Sequence, residues 1–84
     1  MKTRKKQYGN ANVVGKQIES LRKQQGITQK DFIAKLQSSG LDINPTSYSK
    51  LEGQIRTATD REIYVISKIL SVPMEALFIN SEKQ

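Results

Sequence analysis

Thr46, Ser47, Ser49 and Lys50 place three hydroxyls and one ammonium within five consecutive positions. Hydroxyls donate and accept hydrogen bonds and an ammonium only donates, so such a segment is equipped to recognise a polar surface. Covalent chemistry is another matter. The chain has no histidine and no cysteine, which removes the commonest general base, the thiolate nucleophile and the usual zinc ligands. Zinc sites, disulfides and serine–histidine triads are excluded by that inventory, and no Asp/Glu pair has a spacing that suggests acid–base work. The expectation is a protein that is not an enzyme and needs no cofactor, metal or small-molecule ligand.

The charge balance points to a polyanionic partner: the formal net charge is +6 and the pI about 9.8, a balance that favours nucleic acid or an anionic surface. Its distribution narrows the inference. Lys2, Arg4, Lys5, Lys6 and Lys16 all precede the first acidic residue, Glu19; setting those five aside leaves nine basic against eight acidic residues. The excess therefore belongs mainly to an N-terminal arm, residues 1–11, which has no periodic apolar face. It reads either as a solvated tail or as a segment that touches DNA. No apolar run follows the arm's cations and none approaches the roughly 18 residues of a membrane helix, so neither export nor a membrane partner is expected.

The elements that must carry the hydroxyl segment follow from apolar spacing and punctuation. An 84-residue chain hides only roughly 60% of its extended surface, enough for one core and one domain. Val14, Ile18 and Leu21 form one stripe of a helix from about Asn12 to Gln25, with Gly26 as its left-handed terminator. Thr28 caps a second helix, Asp31 stands where a capping box has its acid, and Phe32, Ile33 and Leu36 face inward. Ser38-Ser39-Gly40 ends it. Leu41-Asp42-Ile43 alternates like a short extended segment. Asn44 and Pro45 then supply an N-cap and a first-turn proline for a third helix running to Glu52 and ended by Gly53. Tyr48 and Leu51 turn inward, which leaves Thr46, Ser47, Ser49 and Lys50 outside. Thr59-Asp60-Arg61-Glu62 is a fuller capping box before Ile63, Ile66, Ile69 and Leu70. Val72-Pro73 breaks that helix, and Met74 to Phe78 makes a short closing one with Leu77 and Phe78 returning to the core. A polar tail, 80–84, remains.

Taken in order, Gly26-Ile27-Thr28-Gln29, Phe32 and Leu36, Ser49-Lys50-Leu51-Glu52, Ile66 and Leu70, then Val72 and Leu77-Phe78 resemble the Cro/phage-repressor (XRE) helix-turn-helix family. The likeness covers roughly residues 14–79. It implies an all-α, five-helix lambda-repressor-like domain over 12–79, in which the second helix crosses the DNA backbone and the third enters the major groove. Carried over by position, Gln29 and Asn44, at helix N-termini where free amides favour anions, match phosphate contacts; Lys30 joins them. Thr46, Ser47 and Lys50 match base-reading positions, with Ser49 beside them, and Arg56 matches a loop cation that grips the backbone. Arg22 and Glu52 match a structural salt bridge that fixes where the third helix lies. Two features depart from the pattern. Gly40-Leu41-Asp42-Ile43 lengthens the link between the second and third helices, as in some bacterial relatives, and Pro45 stands where the family often has a base-reading side chain.

The chemistry suits that role. Lys50 can donate to guanine O6 or N7, and Ser or Thr can contact several bases. None of these is the bidentate arginine or glutamine contact that discriminates most sharply, so moderate specificity per half-site is expected, with help from DNA shape. The arm's cations can follow phosphates or enter the minor groove. The resemblance thus implies a sequence-specific regulator of transcription, binding double-stranded DNA as a homodimer in a bacterial cytoplasm, at the nucleoid. Two other classes compete with it. One is an antitoxin-like protein-interaction module that binds DNA secondarily. The other is a basic peptide for RNA or a membrane surface, indifferent to duplex sequence.

Overall fold

Four α-helices follow one another in the residues that the computed structural model describes, 9–78: α1 Gly15–Gln24, α2 Gln29–Ser38, α3 Pro45–Glu52 and α4 Asp60–Leu70, closed by a 3-10 turn over Met74–Phe78. There is no strand among them, and the described residues form an all-α fold. The short closing helix is thus a 3-10 turn rather than a fifth α-helix, with the Ala76 amide donating to the Pro73 carbonyl three residues back at 2.9 Å.

Each helix begins where its side chains satisfy orphan amides. Thr28 accepts the Asp31 amide at 3.1 Å, and Asn44 accepts the Ser47 amide at 2.8 Å ahead of Pro45. Thr59 and Glu62 close the full capping box, 3.1 and 2.9 Å, at the head of α4. The first helix corrects its expected boundary. It starts at Gly15 with Val14 in the N-cap position, and Asn12 Oδ1, just upstream, accepts the amides of Val14 (3.0 Å) and Gly15 (2.8 Å). Gly26, at φ 72°, ends the turn after α1 in the left-handed region that a Cβ disfavours.

One core joins the elements: Val14 just ahead of α1 and Ile18 within it, Phe32, Ile33 and Leu36 from α2, Tyr48 and Leu51 from α3, Ile66 and Leu70 from α4, and Leu77. Phe32 and Tyr48 meet at 5.6 Å between ring centres, tilted by 58°, an arrangement that suits the ring quadrupoles. Leu41 and Ile43 are buried while Asp42 is exposed, the alternation expected of the link before α3. Gln37 Nε2 also donates to the Ile43 carbonyl at 2.8 Å. The longer link is therefore held in the core by its apolar residues and tied to α2 through its backbone. Phe78, expected in the core, is 41% exposed; Leu77 alone fills that place.

The arm is also revised where it is described. Gly9 donates to the Gly53 carbonyl (2.8 Å) and Ala11 to that of Gln54 (2.9 Å), so residues 9–11 lie hydrogen-bonded along the end of α3. The four cations of 1–6 and the polar tail 80–84 are outside the described residues.

Candidate nucleic-acid interface

Helix α3 is held from beneath by a buried carboxylate. Glu52, fully inaccessible, accepts Arg22 Nε at 2.6 Å and Arg22 Nη2 at 3.2 Å, the Tyr48 hydroxyl, and Gln29 Nε2 at 3.0 Å. Arg22 Nη1 donates onward to the Ile27 carbonyl at 2.7 Å. Burial alone works against the Arg22 charge, but the hydrogen bond and attraction of Glu52 outweigh it and raise the guanidinium above its ordinary value. Desolvation, reinforced by the Glu52 charge, pushes the Tyr48 phenol far above its own. The phenol stays a donor, and the expected Arg22–Glu52 pair is present. It ties α1, α2 and α3 together at one point.

On the opposite side of α3, Asn44, Pro45, Thr46, Ser49 and Lys50 are exposed, and Ser47 is half-buried. The Asn44 carboxamide oxygen is committed to its cap. Lys30 is exposed near the start of α2, and Gln29 half-buried beside it. The Gln29 side chain does not stand free: besides Glu52 it meets Ser49, whose hydroxyl donates to Gln29 Oε1 at 3.3 Å. A trough of about 530 Å³, lined by Gln29, Lys30, Ile33, Ala34, Gln37 and Pro45, runs between α2 and the head of α3. The start of α2, with Gln29 and Lys30, thus lies beside the head of α3 at Pro45 and meets Ser49 through Gln29.

Arg56, expected as a loop cation, is engaged by the protein. Its Nη1 and Nη2 take Glu62 Oε1 and Oε2 at 2.9 and 2.8 Å, Nε donates to the Ser47 carbonyl at 3.0 Å, and Nη1 also reaches the Thr57 carbonyl at 2.7 Å. The planar fork is spent on the protein itself, because α4 begins nearby with a carboxylate at its third position. Desolvation opposes the Glu62 charge, yet the hydrogen bonds from Arg56 and from the Thr59 amide outweigh it and hold the carboxyl below its ordinary range. Arg56 is a clamp between the first turn of α3 and the start of α4.

Two residues with structural parts in this site were not singled out from sequence. Asn12 Nδ2 donates to the Leu51 carbonyl at 3.0 Å and the Arg56 carbonyl at 2.8 Å, bridging helix α1's start to α3's end. Gln54, left-handed at φ 62°, returns Nε2 to the Asn12 carbonyl at 2.7 Å. An Asn just ahead of a helix is a readable signal for a turn that takes up its first amides; its second attachment, about 40 residues away, is not.

No protein-family profile, curated protein or solved structure matches the sequence. Among the described residues, no helix is long and apolar enough to cross a membrane.

Proposed function

We propose that this chain is a sequence-specific double-stranded DNA-binding regulator of the helix-turn-helix type, with α3 lying in the major groove. The observation that carries the reading is the two-sidedness of α3. Tyr48, Leu51 and Glu52 anchor one side in the core, while Thr46, Ser49 and Lys50 project from the other beside the N-termini of α2 and α3. A rod so held offers a fixed set of small donors and acceptors, which is what reading base edges requires. The free amides at the two helix starts and the Lys30 ammonium suit flanking phosphates. Arg56 is left out of the contact set.

A helix of eight residues reads few base pairs, so two copies act on a two-fold symmetric site. Tyr64, Met74 and Phe78, 52%, 40% and 41% exposed, supply apolar surface for that pairing away from α3. The same surface favours the interaction-module reading, in which a different protein covers it.

In vitro selection from a random duplex pool tests the assignment. Enrichment of a symmetric motif is the expected result. A pool that shows no motif, together with a dedicated protein co-purifying in equal amount, overturns it in favour of the interaction module.

A further inference from the structure

The hydrogen bonds around Gln29 have a fixed direction, and that direction reaches the outer face of α3. Glu52 accepts from the Arg22 guanidinium and from the Tyr48 hydroxyl, and it takes the same part toward Gln29. The group that Gln29 turns toward it must therefore be the amide nitrogen, as the 3.0 Å contact has it. The carboxamide oxygen then faces outward, and an oxygen of that kind can only accept. Ser49 Oγ lies 3.3 Å from it, so the one hydroxyl hydrogen of Ser49 is drawn to Gln29. A serine can ordinarily donate or accept. Here its donor is engaged by the protein, and what remains on Ser49 Oγ, as on Gln29 Oε1, is lone pairs.

We infer that Ser49, polarised by the Gln29–Glu52 relay, is a specificity-determining acceptor that selects a base with an exocyclic amino group in the major groove. Adenine N6 and cytosine N4 are the amino groups exposed there; guanine O6 and thymine O4 are acceptors and leave the Ser49–Gln29 corner facing oxygen with oxygen. Lys50, adjacent in sequence and a donor only, prefers the opposite partners. Neighbouring residues of α3 thus carry opposite requirements. Gln29 and Glu52 act on the base through Ser49 and are positioning residues.

This inference rests on the proposed DNA binding, and one experiment separates the two. Selection from a random duplex pool is run with the wild-type chain and with Ser49→Ala and Gln29→Ala. Ser49 is exposed and alanine is the better helix former, so Ser49→Ala folds. The wild type is expected to favour adenine or cytosine at one position of each half-site. Ser49→Ala flattens that position alone, by about three- to tenfold in relative affinity, the range of one net hydrogen bond. Gln29→Ala releases the hydroxyl, and the position then accepts guanine or thymine as well. As a chemical check, removing the amino group (adenine to purine, cytosine to zebularine) weakens the wild type by the same factor and leaves Ser49→Ala unmoved. A motif whose every position is indifferent to Ser49→Ala, or a wild-type preference for guanine or thymine at the position that Ser49→Ala flattens, overturns the inference and leaves DNA binding standing. A pool without any motif overturns both.

Discussion

Arg22 and Glu52 meet across 30 positions of sequence with the guanidinium Nε 2.6 Å from the carboxylate, both side chains nearly or fully out of water. A pair so placed gives up hydration on both sides, and its net contribution to stability is small beside the cost of stranding either charge. Glu52→Ala and Arg22→Ala are each expected to lose about 3–5 kcal/mol in urea unfolding. Arg22→Met combined with Glu52→Leu recovers much of that loss, since no charge is left alone. Additive losses in the double variant would show that the pair's two members act independently. Tyr48 and Gln29 lose their acceptor whenever Glu52 goes, so part of the deficit persists.

The second ion pair predicts a pH dependence. The Glu62 carboxyl lies below its ordinary value of 4.5 because Arg56 and the Thr59 amide favour its charged form. A carboxyl depressed in the folded state gives stability that is fully present above its unfolded pKa and is lost as pH falls through the folded one. Thermal melts between pH 6 and pH 2 are expected to show a falling Tm below about pH 4.5. Glu62→Gln lowers Tm at neutral pH and makes the descent shallower. Parallel curves for the two proteins would assign the acid sensitivity to other groups.

Much of the scaffold was legible because its signals are local. Thr28, Asn44-Pro45 and Thr59-x-x-Glu62 each mark a helix start within four residues, and the buried stripe from Val14 to Leu77 follows from 3.6-residue spacing. The failures are non-local. The pairing of Arg56 with Glu62 could not be read because nothing within the loop cation's own segment shows that Glu62 will fold back on it. Phe78 read as core because hydrophobicity does not say which of two adjacent apolar residues faces inward, and at the end of a 3-10 turn only Leu77 does. The arm's last residues read as unattached because their hydrogen-bond partners, Gly53 and Gln54, are more than 40 positions away. The Ser49–Gln29 contact was invisible for the same reason.

Gly15 shows how close α1 comes to the end of α3. A Cβ there would stand 2.4 Å from the Leu51 carbonyl oxygen, 2.5 Å from that of Glu52 and 2.9 Å from Gln54 Cγ. Two of these are backbone atoms at the end of α3, with no rotamer to yield. Gly15→Ala raises helix propensity by up to about 1 kcal/mol, but the overlap costs about 1–3 kcal/mol or more. Net destabilisation is expected in urea titration, along with weaker DNA binding if α3 shifts to relieve the clash. A gain in stability would mean that the helices separate at little cost.

The last prediction divides affinity from specificity. A cation that neutralises a phosphate releases counterions, and each such contact contributes about 0.9 to the slope of log affinity against log salt. It carries no sequence information. Replacing Lys2, Arg4, Lys5 and Lys6 by alanine is therefore expected to weaken every duplex alike and to flatten the salt dependence by up to that amount for each phosphate no longer neutralised. Lys50→Ala removes the exposed donor at the sixth residue of α3, and discrimination at one position is expected to fall by about 1 kcal/mol, the low end of what a bidentate contact gives. Fluorescence anisotropy on the selected motif and on single-base variants, at several salt concentrations, measures both effects. Equal loss on all sequences from both changes would remove α3 from base reading, because a groove-facing ammonium and a phosphate-following arm cannot share one signature.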